Sequence, residues 1–226
     1  MWNRREVKEK GKASFKRNYW TCVLVGFIYL VLFASSGYSG SSNSDEIKTK
    51  LADQSQDPQF VTILLIILAA VGVALALYAV IRIFAFNPLE VGCRRFFVQN
   101  LDENATVNEI GYSFKNNYMN AVVGIFLRDL LVLVGFILFI FPGIYLAYTY
   151  RLVPYILAED PEIKGTDALK KSKEMMNGHK WAAFVYDLSF IPWILLGIIT
   201  CGIVSVFYVS PYKFNADAAL YEAIKG

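Results

Sequence analysis

Long apolar runs alternate with short polar, mostly basic stretches along the whole chain. A helix needs about 20 apolar residues to span the hydrocarbon core of a bilayer. The first run covers residues 19–36. The second, 60–86, is the longest and holds a single charge, Arg82. The third covers 120–141 and stops at Pro142-Gly143, after which a fourth run covers 144–157. The fifth covers 181–199 and ends at Thr200-Cys201-Gly202, and the sixth begins at 203 and reaches about 212. The fourth and sixth runs are short, and we expect them to continue as helix into the interface, as far as Ala158 and toward Ala219. The pattern predicts an all-α membrane protein with six transmembrane helices, arranged as three tandem helical hairpins with cytoplasmic interfacial helices.

Lysine and arginine are distributed unevenly between the two sides of this arrangement. Seven lie in the first eighteen residues, and Arg94, Arg95, Lys115, Lys164, Lys170, Lys171, Lys173, Lys180, Lys213 and Lys225 fall on the same side. The opposite side has Lys48 and Lys50 alone. By the positive-inside bias, the basic side is cytoplasmic, with both termini there. The outer loop, 37–59, is rich in Ser, Asp, Gln and Gly and reads as a solvated connector. A basic start, an apolar stretch and Phe33-Ala34-Ser35-Ser36 also loosely fit a cleavable signal. The length of the basic region and the part the first span plays in a repeat favour a retained span.

That repeat is short but clear. Ser14-Phe15-Lys16-Arg17-Asn18-Tyr19 and Ser113-Phe114-Lys115-Asn116-Asn117-Tyr118 differ at one position, and each leads into a span. Val23 and Val122 then correspond. A weaker third copy begins at Ser172-Lys173. Pro88, Pro154 and Pro211 each stand near the inner end of a returning span. The expected organisation is a single polytopic domain, 1–226, of three units, 1–92, 93–158 and 159–226, each with an interfacial helix, a span out and a span back. Thr106 and Glu109 fit a capping box, with Val107, Ile110, Phe114 and Tyr118 on one helical face behind it. Thr166 is placed to cap a helix that carries Leu169, Ser172 and Met176 on one face and lysines elsewhere. Such a helix suits an anionic leaflet or a connector packed beneath the bundle.

Composition supports the membrane reading: 56% of the 226 residues are hydrophobic and 18% charged, against about 25% charged in soluble domains. The net charge of +3 is too small to suggest nucleic acid. Cys22, Cys93 and Cys201 form no Cys-x-x-Cys pair and read as packing residues. His179 is the single histidine, and neither a metal motif nor a phosphate loop nor a nucleophile elbow is present, so no metal, cofactor or catalytic activity is expected. Asn104-Ala105-Thr106 matches a glycosylation sequon but lies on the predicted cytoplasmic side. Charges at membrane depth are costly and often functional. Arg82 and Arg151 lie near span ends, where they can reach the headgroups. Arg128 and Asp129 lie about two turns into the third span and Asp187 at similar depth in the fifth. These three are the candidate intramembrane polar cluster, with an Arg128–Asp187 pair across two helices as the simplest arrangement and a polar cavity as the alternative. Ala69, Gly72, Ala76 and Ala79 form a small-residue stripe suited to close helix packing, within the bundle or between two copies.

Several of these elements together resemble a known family. Asn87-Pro88-Leu89-Glu90-Val91-Gly92 with Arg94-Arg95-Phe96-Phe97 is the most specific. Phe141-Pro142-Gly143-Ile144, Pro154-Tyr155-Ile156-Leu157-Ala158, Ala168-Leu169-Lys170-Lys171-Ser172 and Met175-Met176-Asn177-Gly178 accompany it. The chain resembles, over nearly its whole length, bacterial integral membrane proteins catalogued as domain of unknown function nine-seventy-five. The resemblance implies a bacterial cell-membrane protein and carries no activity. Physically, Asn87, Pro88, Glu90, Gly92 and Arg94 form a candidate cytoplasmic hinge: proline breaks the hydrogen-bond ladder, and Glu90 and Arg94 are four apart, as in a helical ion pair. The functional expectation is a non-enzymatic protein acting through membrane lipids, anionic ones among them, or through a membrane-protein partner or second copy. A transporter using Arg128, Asp129 and Asp187 is the alternative.

Overall fold

In the computed structural model of the chain, the structure describes residues 2–33, 58–116, 118–200 and 202–226. The outer loop up to residue 57, residues 34–36 of the alternative cleavage site, Asn117 and Cys201 lie outside them. All regular structure among the described residues is helical. Helix α1 is Arg4–Arg17 and α2 is Tyr19–Phe33. Helix α3, Pro58–Ile81, runs through a π-helical turn, Arg82–Phe86, into α4, Asn87–Gln99. A 3-10 segment, Val107–Gly111, leads to α5, Tyr118–Leu138, and α6, Ile140–Thr149. Then come α7, Val153–Glu159, α8, Gly165–Met175, α9, Lys180–Leu188, and α10, Ile191–Ile199. A second π-helical turn, Ser205–Val209, opens into α11, Ser210–Lys225. Among the described residues three stretches are long and apolar enough to cross a membrane: Val61–Gln99, Tyr118–Leu138 and Lys180–Ile199. The protein is a membrane protein on this criterion.

The helices pack most extensively at one end. Helices α1, α4, α7, α8 and α11, with the first half of α5, enclose a core of Phe15, Phe96, Phe97, Ile125, Leu152, Ile156, Met176 and Tyr221. This is the lysine-rich end. Small residues set its closest approaches. A Cβ on Gly11 would sit 2.5 Å from Ala216 Cα, and one on Gly165 would sit 2.6 Å from Gly124 N. A Cβ on Gly92 would overlap the Ile110 carbonyl oxygen. At the other end the helices are apolar and bare. Helix α3 is exposed on every face, and a Cβ on Gly72 would meet nothing within 4 Å. The α5–α6 hairpin, closed through Gly135, Phe136 and Gly143, is the tight contact there.

A buried polar knot ties α1, α4 and α11 together. Asn100 Nδ2 donates to Ser14 Oγ (2.8 Å) and Asn215 Oδ1 (2.9 Å), and Ser14 Oγ donates to the Asn100 carbonyl. Cys22 is buried beside it and reduced, as is Cys93 elsewhere in the core. At the surface of the same end, Glu159 accepts from Tyr221 Oη (2.6 Å) and Lys225 Nζ (2.7 Å). Burial alone would raise the Glu159 pKa; the ammonium and the hydroxyl outweigh it and hold the carboxyl below its ordinary value.

Local structure departs from expectation in several places. Helix α4 follows the second run without a hinge, because the widened turn at Arg82–Phe86 accommodates the Pro88 ring and its missing N–H. The α5 break falls at Phe139, which is extended, and Pro142-Gly143 lie inside α6. The fourth run is two helices, parted between Thr149 and Val153 ahead of Pro154. The fifth is likewise two, parted at Ser189-Phe190 ahead of Pro192. Thr106 makes no side-chain cap, with Glu109 held by Arg95 at 2.8 Å, and a 3-10 segment, Val107–Gly111, and a one-turn helix, Tyr112–Lys115, stand in place of one longer helix. Helix α8 starts at Gly165, not after a Thr166 cap, where the glycine must meet Gly124. Its expected buried face, Leu169, Ser172 and Met176, is buried as read from the sequence.

Candidate functional site

The π-helical turns set the rotational phase of the helices that follow. Pro88 and Pro211 each stand two residues after such a turn. From there the next charged positions, two and six residues beyond each proline, face the molecule's interior: Glu90 and Arg94 on α4, Lys213 and Asp217 on α11. Asn87, also buried, fixes the entry of α4. Its Nδ2 donates to the Val122 carbonyl (3.3 Å), and its Oδ1 accepts from Arg82 Nη1 (3.1 Å).

Two ion-pair networks result. In the first, Arg128 on α5 grips Glu90 with both terminal nitrogens (2.9 and 3.0 Å) and reaches Asp129 Oδ1 from Nε (2.9 Å) and Nη2 (2.7 Å). Arg94 lies beside them and meets no carboxylate. It donates to Tyr29 Oη (2.7 Å) and Tyr155 Oη (3.1 Å), with its guanidinium 4.7 Å from the Tyr29 ring centroid and 5.3 Å from that of Tyr155. In the second network, Arg151 donates to Asp187 (2.6 and 3.1 Å) and Asp217 (2.9 Å). Lys213 Nζ bridges the same two aspartates (3.0 and 2.8 Å), and the Tyr148 and Tyr186 hydroxyls donate to Asp187 and Asp217. Four cations thus face four carboxylates. Each charge has lost much of its water, and geometry of this quality is what offsets that loss.

Between the networks lies a cavity of about 450 Å³. Glu90, Arg94, Arg128, Asp129 and Arg151 line it together with Val132, Leu133, Phe136, Ala147 and Pro154. Among the described residues no group of His, Cys, Asp and Glu has the grouping of a metal site.

A family model described as "Protein of unknown function (DUF975)" matches residues 59–226. The chain belongs to this family. No curated protein and no solved structure matches the chain. Both networks and the cavity lie within the matched residues, Tyr29 apart.

The sequence-derived cluster is therefore divided. Arg128 and Asp129 stand in the first network and Asp187 in the second, and the expected Arg128–Asp187 pair does not form. Arg151 intervenes: it lines the same cavity as Arg128 but gives its terminal nitrogens to Asp187 and Asp217. Arg151 is accordingly largely enclosed, with its side chain 16% exposed, and paired with two aspartates. Glu90 and Arg94 do not pair with each other either, because Arg128 takes both Glu90 oxygens. Gly92 serves close packing against Ile110. Sequence reasoning missed Arg151, Lys213 and Asp217. A signal existed: Glu90/Arg94 and Lys213/Asp217 occupy the same offsets from a proline with their charges reversed.

Proposed function

We propose that this protein is a six-span integral membrane protein of the bacterial cell membrane, with both termini cytoplasmic, that acts without catalysis through lipids or a partner protein at the cytoplasmic interface. The observation that carries this reading is the division of the molecule into a packed, lysine-rich end and a bare apolar end. Bare helices of this composition require lipid around them. The packed end then lies at the inner headgroup level, where α1 and the lysines of α8 meet anionic lipid. In this reading the chain is three out-and-back units, with α2, α3, α5, α6, the α9–α10 pair and the start of α11 as the spans. The Pro88 and Pro211 turns, alike in structure, support the tandem arrangement.

The test is thermal unfolding of the purified chain in nanodiscs. Discs with about one-third anionic lipid should raise the midpoint by several degrees over purely phosphatidylcholine discs, with the gain lost at high salt. Equal midpoints would remove the anionic-leaflet part of the reading. The ion-pair networks favour a second reading, a solute or ion transporter. Flux in proteoliposomes that disappears in Asp187→Asn would replace the first reading with that one.

A further inference from the structure

The cavity has hydrogen-bonding capacity that its own residues leave unused. Both bonds to Asp129 end on Oδ1, so Oδ2 has no donor among the described residues. The Asp129 side chain is 43% exposed, on a face of α5 whose neighbours Phe126, Leu130 and Leu133 are exposed and apolar. Oδ1 is held by the Arg128 guanidinium, and Oδ2, in an apolar collar, is left to accept from a further N–H donor or water. Donors are also unused. Arg94 Nε is a buried donor with no acceptor, and Arg151 donates through Nη1 and Nη2 alone, among the described residues. One cavity thus presents an open acceptor, two guanidinium groups with donors to spare, and an apolar slot.

The cavity's own groups select the ligand class. The open Asp129 oxygen calls for an N–H donor, and the Arg94 and Arg151 guanidinium groups call for an anion. A ligand carrying both a phosphate and a primary ammonium supplies both. We propose that the cavity holds the headgroup of a zwitterionic phospholipid with a primary amine. Its phosphate diester lies beside Arg94 and Arg151, its ammonium donates to Asp129 Oδ2, and an acyl chain runs along Leu133 and Phe136. Those two side chains are 56% and 45% exposed, so the slot opens on the apolar surface and the chain continues into the bilayer. This inference rests on the membrane reading above and adds the chemistry of the lipid recognised.

The experiment uses the full chain in detergent, supplied with equal amounts of phosphatidylethanolamine, phosphatidylcholine and phosphatidylglycerol, with retained lipid counted by native mass spectrometry. The ethanolamine lipid should be kept over the choline lipid by about tenfold, because a quaternary ammonium has no N–H to donate. Asp129→Asn should bring the two to parity, and Asp129→Glu should restore the preference. Parity in the unaltered chain, preferential retention of phosphatidylglycerol, a preference unmoved by Asp129→Asn, or no retained phospholipid would each overturn the proposal. Displacement by equimolar soluble glycerophosphoethanolamine would overturn the role of the apolar slot and leave a free-headgroup site. If the membrane reading itself fails, the chain stays soluble without detergent. If only this inference fails, the chain still requires detergent but shows no such headgroup preference.

Discussion

The two ends of this molecule are joined through α5 and the continuous α3–α4 stretch, yet they pack by different rules. At the lysine-rich end α5 buries Ala121, Val122, Gly124 and Ile125, while its far half shows Leu133, Ile137 and Leu138 to the surroundings. Of the three candidate spans, the most apolar, which contains α3, is the least buried. The best-buried positions include Ser14, Asn87, Glu90, Asn100 and Asn215. Hydrophobicity therefore reports which surface meets lipid. Close protein–protein packing is marked by glycine at contact points and by hydrogen-bonded polar groups. Without a hydrophobic drive between helices inside a bilayer, steric fit and polar bonds are what remain to hold them.

That contrast can be broken by substitution, and the largest effect belongs to the networks. Arg151→Gln leaves Asp187 and Asp217 with Lys213 as their sole cation and should cost about 3–5 kcal/mol, read as loss of folded yield or a large fall in thermal midpoint. An unchanged midpoint would mean that the second network is not formed in the membrane. Next comes a matched pair of glycines. Gly92→Ala, at the packed end, forces α4 off the Ile110 carbonyl and should cost about 1–3 kcal/mol. Gly72→Ala, at the bare end, should be neutral or stabilise by up to about 1 kcal/mol through helix propensity. Equal effects in one thermal-unfolding series would erase the distinction between the ends. The smallest effect is electrostatic. Because the Glu159 carboxyl is held below its ordinary pKa, its contribution is present at neutral pH and is lost as pH falls through the acidic carboxylate range. Both partners are partly exposed, so the loss should show as faster amide exchange confined to the last turns of α11, without global unfolding.

Much of this was legible in the chain. The apolar runs located α2, α3, α5 and α9–α10 closely, because membrane-length hydrophobic stretches are a strong and local signal. The buried face of α8 followed from helical periodicity. What periodicity could not supply was rotational phase across irregular turns. A π-helical turn adds one residue without changing composition, so the inward direction of Glu90, Arg94, Lys213 and Asp217 was hidden, and with it the partners of Arg128 and Asp187. Arg151 was misread for a related reason. Its place near a run's end suggested exposure, whereas the short break before Pro154 turns it into the interior. The Thr106 box failed because a tertiary partner, Arg95, outcompeted the local contact for Glu109.

The π-helical turns also uncouple two demands on a single helix. One extra residue turns the remainder of a helix by about 100° relative to an uninterrupted ladder. The lipid-facing half of α3 and the packed half in α4 can therefore be set independently, each to its own solvent. Removing a single residue from Arg82–Phe86 would leave every other side chain in place along the sequence, yet carry Glu90 and Arg94 around the helix barrel and away from the groups they serve. The length of that five-residue segment is thus as much a part of the charged cavity as the arginines that line it.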